Sequence, residues 1–237
     1  MSTIDRADNL DFFSRFREII ADPLNILIER GPRSGLVTAG MVTLHNGNRV
    51  PVDGPNAYYQ HFSRILQVNR GVHEPLEEFV FQEVLRHMPD APVMIELGSY
   101  WSHYSMWMQA VHRGATNIMV EADPECLAVG ETNFAINRLK GEFINRRVDP
   151  SDWTLDSFME ERGLDKVDLF HVDIQGAEKV MMQDVSATLS AQKVDRLLIS
   201  THENPIHHGI IDSLSEFGYR IEVDCDPEVE STSFDGF

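Results

Sequence analysis

Short apolar runs and longer amphipathic stretches alternate along most of this chain. From about Ala91 onward, the runs have the length of buried strands and the stretches carry apolar residues at helical spacing. Six runs are predicted as strands: 93–97, 116–122, 142–148, 167–174, 194–201 and 219–224. Five stretches are predicted as helices: 102–113, 124–141, 154–163, 177–189 and 206–218. This alternation predicts an α/β fold, with helices on both faces of a parallel sheet.

Proline and glycine mark the ends of several predicted helices. Pro124 is expected at the first position of one helix, and Gly141 just past its last residue. Gly163 and Gly218 are expected to end two later helices in the same way.

The first 90 residues follow a different pattern. One helix face is indicated by Leu10, Phe13, Phe16 and Ile20. Asp22 and Pro23 form a capping pair that predicts a second, short helix. Segment 41–52 predicts a hairpin, because Asn46-Gly47 suits a type I′ turn between β-rich arms. A further helix is indicated by Leu76, Phe79, Val80, Val84 and Met88. We therefore expect an α+β cap over 1–90 and a sheet domain over 91–237.

Composition adds an acidic surface to this picture. The 237 residues are 42% hydrophobic and 24% charged, as in ordinary globular proteins. Twenty Lys and Arg against 38 Asp and Glu give a net charge of −18. Such a surface repels nucleic-acid phosphates and anionic lipids. We therefore expect neither nucleic acid nor a membrane as a partner.

Cysteine usage and the absence of long apolar runs indicate the compartment. Cys126 and Cys225 are too few for a disulfide framework. Residues 1–10 contain no apolar signal segment, and no apolar run approaches the ~18 residues that span a bilayer. We expect a soluble protein in a reducing, cytoplasmic setting. The sequence leaves the oligomeric state open, and a homo-oligomer is compatible with it.

Acidic residues and one glycine stand at the ends of the first two predicted strands. Ligands of parallel sheets bind at the carboxyl ends of the strands. Glu96 and Gly98 suit a tight turn before a helix N-terminus, although a dinucleotide fingerprint needs three glycines. Glu121 ends the next strand, where a carboxylate can accept both hydroxyls of a ribose. Singly, each feature also fits an ordinary turn or a solvated acid. Together they indicate a nucleoside across the two strands.

Asp173 and His202 end the fourth and fifth predicted strands. If these strands pair, the two side chains meet at one edge of the sheet. A helix-capping role for Asp173 is the structural alternative. His202, His207 and His208 lie within seven residues, but their spacing matches no zinc signature.

Seven sequence blocks resemble the FkbM family of S-adenosylmethionine-dependent methyltransferases. They are MIELGSYWSHYS (94–105), VEADP (120–124), TNFAIN (132–137), TLDSF (154–158), VDLFHVDIQGAE (167–178), LLISTH (197–202) and FGYRI (217–221). The resemblance covers about residues 90–224, and HVDIQGAE is its most specific part.

The resemblance implies a fold, a cofactor and a reaction. The fold would be a doubly wound, mostly parallel, Rossmann-like sheet of the class I methyltransferase type. S-Adenosylmethionine would be held at its methionine end by Glu96, Gly98 and Ser99, at its ribose by Glu121, and near its adenine by Val148 or Asp149. Tyr100, Ser102 and Ala122 complete the expected cofactor set. Members of the family act mainly on hydroxyl groups of sugars and natural products, so O-methylation of a small-molecule acceptor is implied.

The chain departs from the family pattern at several positions. Ser102 stands where the family usually has a second glycine, and Tyr100 and Trp101 stand where it has small residues. His171 and Gln175 stand where it often has Lys and Glu. The sequence ends in FDGF, where the last antiparallel strand of the family begins, so that strand is either very short or truncated.

Two versions of the chemistry follow for the proton of the acceptor hydroxyl. In the metal-free version, which we favour, His202 takes the proton and Asp173 orients it or the substrate. In the other, Asp173, Glu203 and Asn204 bind Mg²⁺, which lowers the pKa of the acceptor.

The cap is expected to select the acceptor. Segment 58–78 must pass over the crevice to reach the sheet, and we expect it to line the acceptor pocket. Its candidate residues are Tyr58, Tyr59, His61, His73 and Glu74. Plain helix packing is the alternative role.

Other functional classes fit the sequence less well. A nicotinamide-dependent oxidoreductase should show three glycines near residue 98. A base-modifying N-methyltransferase would need an Asn- or Asp-Pro-Pro-aromatic motif after the fourth strand, where Asp173-Ile174-Gln175-Gly176 stands. A non-catalytic nucleoside-binding module remains an alternative.

Overall fold

The computed structural model describes residues 12–226 and 236–237. The N-terminal part contains helix α1 (Phe12–Ala21), strands β1 (Val37–Thr38), β2 (Met41–Thr43) and β3 (Arg49–Pro51), and helices α2 (Arg64–Val68) and α3 (Pro75–Leu85). Short 3₁₀ turns occupy Pro23–Ile26 and Gln60–Ser63. The predicted cap at Asp22 is confirmed, because its carboxylate accepts the Leu24 N–H at 2.7 Å. Of the predicted N-terminal helix face, Leu10 and the side chain of Phe13 lie outside the described residues.

The described residues from Val93 onward form a sheet with flanking helices, as predicted. Its strands are β4 (Val93–Leu97), β5 (Thr116–Glu121), β6 (Glu142–Asn145), β7 (Leu169–Val172) and β8 (Leu197–Ile199). Its helices are α4 (His103–Val111), α5 (Pro124–Asn137), α6 (Leu155–Arg162), α7 (Glu178–Asp184), α8 (Ser186–Ser190) and α9 (Asn204–Glu216). The strand order is β6-β5-β4-β7-β8, and every neighbouring pair is parallel. The predicted doubly wound sheet is confirmed, and the chain changes direction across the sheet beside β4.

The predicted hairpin is present, but its turn is not type I′. Strands β2 and β3 pair antiparallel, and β1 adds a third strand that the sequence pattern did not indicate. Gly47 has a φ of 91°, whereas Asn46 does not have the positive φ that a type I′ turn requires. The Leu44 carbonyl accepts the Gly47 N–H and the Leu44 N–H donates to Asn48, so the loop is longer than two residues.

Helix α5 ends three residues earlier than Gly141 indicated. It stops at Asn137, with Arg138 as a left-handed C-cap. Gly141 instead lies where a Cβ would collide with the side chains of Met119 and Phe134. The glycine is needed for close packing of this connection on the sheet, and not for ending the helix.

The single helix predicted over 177–189 is two helices. The chain breaks at Val185, and the carboxylate of Asp156 accepts the N–H groups of Ala187 and Thr188 at 3.0 and 2.8 Å. A side chain from α6 thus caps the start of α8, and this satisfies backbone donors that a continuous helix would bond internally.

The strand predicted over 219–224 does not form. In the described part of the chain, the edge of the sheet beyond β8 is met by Gly236, which makes an antiparallel bridge to Thr201. Phe237 pairs with Cys225 through two backbone hydrogen bonds. The side chains of Tyr219 and Ile221 pack on the core without extending the sheet. The antiparallel pairing expected near FDGF is therefore present at Gly236.

The cap and the sheet domain share one hydrophobic cluster. Val42, Leu44 and Leu66 of the N-terminal part are buried together with Met106 and Phe134 of the sheet domain. Two further clusters fill the two faces of the sheet around Phe170 and around Phe81. No described helix is long and apolar enough to cross a membrane.

Two asparagines of α5 form hydrogen bonds to backbone groups outside their own helix. Asn137 accepts the Arg49 N–H at 2.7 Å and donates to the Arg49 carbonyl at 2.8 Å, so it pairs with the edge of β3 as another strand would. Asn133 donates to the Trp101 carbonyl at 3.0 Å. The paired asparagines of the TNFAIN block thus hold the cap and the loop after β4.

We predict that Asn137→Ala lowers the free energy of unfolding by about 1–3 kcal/mol, because both backbone groups of Arg49 lose their partner. Chemical denaturation measures this difference. Glu131→Ala, at an exposed position of the same helix, should change stability little and serves as the control. Equal stability of the two variants would show that the asparagine does not anchor the hairpin.

Candidate functional site

The backbone at Gly98 lies against the end of the neighbouring strand. Gly98 follows β4 with a φ of 71°, and a Cβ added there would overlap the carbonyl oxygen of Asp173. Because β5 and β7 flank β4 on opposite sides, this contact marks the point at which ligands bind in open α/β sheets. Gly98 and Asp173, which the sequence placed at two separate junctions, stand at one crevice.

Beyond Gly98, the loop between β4 and α4 keeps backbone angles typical of glycine at two residues that are not glycine. Tyr100 and Ser102 have φ angles of 39° and 58°, in the left-handed region that disfavours side chains. The Ser102 N–H donates to the Ser99 carbonyl, which tightens the turn. The hydroxyls of Ser99 and Ser102 are buried and have no hydrogen-bond partner within the described chain. Ser102 Oγ faces Gly130 of α5, and the roles of both serines in cofactor binding stay predictions.

The two aromatic residues of this loop are turned towards the cap. The Tyr100 hydroxyl accepts the Tyr59 N–H at 3.0 Å. Trp101 is buried and stacks on His103 at 4.9 Å between ring centroids. The bulk that distinguishes this loop from the family pattern is thus used in contacts with the cap and with α4.

Glu121 is oriented by two backbone amides. It accepts the Tyr100 N–H at 3.1 Å and the Asp123 N–H at 2.9 Å. Burial raises the pKa of its carboxyl group, and these hydrogen bonds partly oppose that shift. The arrangement fixes a carboxylate at the carboxyl end of β5, beside the loop that follows β4.

The other expected cofactor residues lie around the same edge. Glu96 is buried, and its carboxylate accepts the Ser105 N–H at 3.2 Å. Burial raises its pKa. The Ala122 carbonyl accepts from the Asn145 side chain at 3.1 Å. Asp149 follows β6 and holds the turn to Ser151, whose N–H it accepts at 2.8 Å. Their roles in cofactor binding stay predictions.

His202 lies between the carboxylates of Asp173 and Glu178. Strands β7 and β8 pair, as expected, and His202 Nε2 lies 3.3 Å from Asp173 Oδ1. On its other side, His202 Nδ1 lies 2.8 Å from Glu178 Oε1. Glu178 is fully buried, and Asp173 is partly exposed. Because a carboxylate only accepts, Glu178 places the proton on Nδ1 and leaves Nε2 directed towards Asp173.

The remaining polar residues after β8 have partners of their own. His207 lies between Thr201 at 2.9 Å and Asp224 at 3.0 Å, and His208 pairs with Asp226 at 3.0 Å. The three histidines of this segment therefore do not converge on one point. Glu203 is the N-cap residue of α9, and Asn204 is its first residue. Their binding of Mg²⁺ with Asp173 stays a prediction.

The cap contributes Tyr58 and Tyr59 to the carboxyl side of the sheet. Tyr59 is half exposed with a φ of 39°, and its ring lies 5.0 Å from that of Tyr100. Burial and then the nearby Asp173 raise the pKa of its hydroxyl. Tyr58 is buried against Trp101. The side chain of His61 lies outside the described residues.

Sequence reasoning missed two features of this region. Glu178 ended the most specific block of the resemblance, and its position there was the available signal. The second feature is a buried histidine cluster, which consists of His45, His73, Glu78 and His103. No local signal marks it, because its residues come from the hairpin loop, the approach to α3, α3 itself and the start of α4.

Solved structures with a similar fold are methyltransferases of low sequence identity. The Pyrococcus abyssi tRNA (uracil-54, C5)-methyltransferase in complex with S-adenosyl-L-homocysteine aligns with a TM-score of 0.51 and 11% identity, over 80% of this chain and 40% of that chain. An S-adenosylmethionine-dependent methyltransferase from Agrobacterium tumefaciens aligns with a TM-score of 0.51 and 13% identity, over 79% and 60%. The METTL16 methyltransferase domain aligns with a TM-score of 0.50 and 13% identity, over 91% and 86%. This chain thus spans less than two thirds of the length of the first two of these proteins.

The family comparison covers most of the chain. No curated protein matches the sequence. The methyltransferase FkbM domain matches residues 53–221, and so begins inside the predicted cap and extends past α9. Since this match includes well over half of the 237 residues, the protein belongs to the FkbM family of methyltransferases.

Proposed function

We propose that this methyltransferase transfers the methyl group of S-adenosylmethionine to a hydroxyl group of a sugar or another small natural product. The observation that carries the proposal is the line Glu178–His202–Asp173 at the switch point of the sheet. It provides a base for a hydroxyl proton beside the loop expected to hold the methyl donor.

The residues after β4 and β5 fit the cofactor. S-Adenosylmethionine supplies a methyl group activated by a positively charged sulfur. We assign its polar methionine end to the turn at Gly98 and Ser99, as the family resemblance implies; the enclosed hydroxyls of Ser99 and Ser102 would have to turn to reach it. Glu121 suits the ribose hydroxyls, because two backbone amides already hold its carboxylate in place. Gly98 allows close approach of the ligand to the backbone.

His202 then acts on the acceptor. Methyl transfer forms a bond between the acceptor oxygen and the methyl carbon while the bond to sulfur breaks, and the hydroxyl proton must leave. His202 Nε2 takes this proton, Asp173 orients the hydroxyl, and the buried Glu178 stabilises the imidazolium that forms. In this scheme Glu178 is a positioning residue that acts through His202.

Charge and the cap support a small acceptor. A net charge of −18 disfavours nucleic acid. Tyr59 lies over the same edge as Asp173, and its half-exposed ring suits stacking against a sugar or an aromatic product. We therefore assign the cap segment around Tyr59 to acceptor binding.

Cofactor binding is tested at Glu121. Glu121→Ala should weaken S-adenosylmethionine binding at least ~10-fold in titration calorimetry, because charge-assisted hydrogen bonds to the ribose are lost. Glu121→Gln keeps one acceptor oxygen and should fall between the variant and the parent protein. Glu125→Ala, at an exposed position in the first turn of α5, should bind normally. Unchanged affinity in Glu121→Ala would contradict the proposed ribose site.

Catalysis is tested at His202 and Asp173. A panel of sugars and hydroxylated natural products is screened for release of S-adenosylhomocysteine, and mass spectrometry locates the added methyl group. With the best acceptor, Asp173→Asn and His202→Gln should each lower kcat ~10²-fold or more while cofactor affinity stays nearly intact. His208→Gln, an exposed histidine of α9, is the control. Near-normal turnover in both variants would show that neither residue is catalytic. If the parent protein binds the cofactor but turns over no acceptor in the panel, a non-catalytic binding module is favoured instead.

Acceptor selection is tested at Tyr59. Tyr59→Ala should raise the KM of the acceptor about 10-fold, as expected for loss of an aromatic stacking contact with the acceptor, with cofactor affinity unchanged. Val68→Ala, exposed on α2, should leave both constants as they are. Equal KM values in the two variants would show that Tyr59 does not bind the acceptor and that this cap segment serves only for packing.

A further inference from the structure

Three residues of the buried histidine cluster, namely His45, Glu78 and His103, bring two imidazoles and a carboxylate together in a dry interior. The side chains of His45 and Glu78 are fully buried, and that of His103 is 1% exposed. His45 Nε2 lies 2.8 Å and His103 Nε2 lies 3.8 Å from the Glu78 carboxylate. One ligand atom from each residue fits within 4.8 Å of the others, and among the described residues this is the set of side chains that meets that condition.

The ring nitrogens of His45 and His103 lack hydrogen bonds of ordinary geometry to other described residues. Within the described chain, neither nitrogen of His45 nor of His103 has a hydrogen-bond partner, and neither does Glu78 Oε2. The contact of His45 with Glu78 is close enough for a hydrogen bond but out of line with a ring N–H. Buried polar groups are satisfied in the great majority of native proteins. Ligand atoms of three buried residues that converge in this way suit a shared central atom.

We propose that His45, Glu78 and His103 bind a divalent transition-metal ion of the zinc class. Imidazole and carboxylate groups are ordinary Zn²⁺ ligands, with bonds of about 2.0–2.2 Å. Ligand atoms spaced as these are can close around such an ion with small side-chain movements. This site is separate from the Asp173–His202 pair and does not depend on the proposed reaction.

Residues next to the cluster orient Glu78 through contacts of the kind that metal ligands commonly receive. His73 contacts Glu78 through Nδ1, and its Nε2 lies 3.0 Å from Glu74. The N–H of His73 donates to Glu78 Oε1 at 2.8 Å, which leaves Oε2 directed towards His45. A ligating carboxylate is commonly held by hydrogen bonds of this kind.

The position of the site gives the ion a structural role. His45 lies in the hairpin loop, Glu78 in α3, and His103 is the first residue of α4, directly after the loop that holds Ser99 and Ser102. An ion bound by all three would join the cap to the end of the loop that holds Ser99 and Ser102. We therefore expect metal removal to loosen that loop and to lower stability.

Metal analysis of the full-length, untagged protein is the first test. We expect about one Zn²⁺ per chain after reconstitution of chelator-treated protein and removal of excess metal. Zn²⁺ should raise the unfolding temperature in proportion to its occupancy. Co²⁺ should bind at the same stoichiometry, compete with Zn²⁺ and give the visible bands of a low-symmetry site. Binding of less than a tenth of an equivalent to the folded parent protein would overturn the proposal, and the cluster would then be a metal-free network of imidazoles and carboxylate.

Variants locate the ion. His45→Gln and His103→Gln should abolish Co²⁺ binding, whereas His208→Gln, outside the cluster, should retain it. His73→Gln should weaken it about 10–100-fold, as expected for a residue that orients a ligand. His103→Cys replaces one zinc ligand with another and should add a thiolate-to-Co²⁺ charge-transfer band. Unchanged binding in the folded glutamine variants, or a spectrum without that band from His103→Cys loaded with Co²⁺, would place the metal elsewhere and overturn the assignment.

Discussion

The close approach of the Gly98 backbone to the carbonyl of Asp173 constrains the whole carboxyl edge of the sheet. It requires a residue without a Cβ at the end of β4, and it places the end of β7 directly against the loop that begins there. The next strand, β8, then brings His202 to within 3.3 Å of Asp173. The groups that we propose to hold the methyl donor and to accept the proton are thereby set at one crevice by the packing of neighbouring strands.

The loop after β4 keeps a backbone conformation suited to glycine, although this chain has Ser102 where the family usually has a glycine. Ser102 adopts the left-handed conformation that glycine would adopt without strain. Contacts offset this strain: the Asn133 side chain binds the Trp101 carbonyl, and Trp101 stacks on His103. The aromatic residues here therefore strengthen the contact between the loop and the cap.

The cap is joined to the sheet domain by polar contacts as well as apolar packing. Asn137 binds both backbone groups of Arg49, and Glu78 gathers imidazoles from both parts of the chain. Buried charged and polar groups are costly unless they are partnered, so these contacts restrict how the cap can sit on the sheet. Tyr59, whose ring lies 5.0 Å from that of Tyr100, is thereby held at the loop after β4.

The sequence by itself determined the five parallel strands, the junctions at Glu96, Glu121 and Asp173, and the resemblance to the family, because hydrophobic periodicity and short motifs are local properties. Only the tertiary structure decided the break before α8, since the cap of that helix comes from Asp156 in another helix. The sixth predicted strand failed for the same reason, because its edge is met by Gly236 from the end of the chain. Glu178 as the partner of His202, and the buried histidine cluster, likewise depend on distances between residues far apart in sequence, which no local pattern encodes.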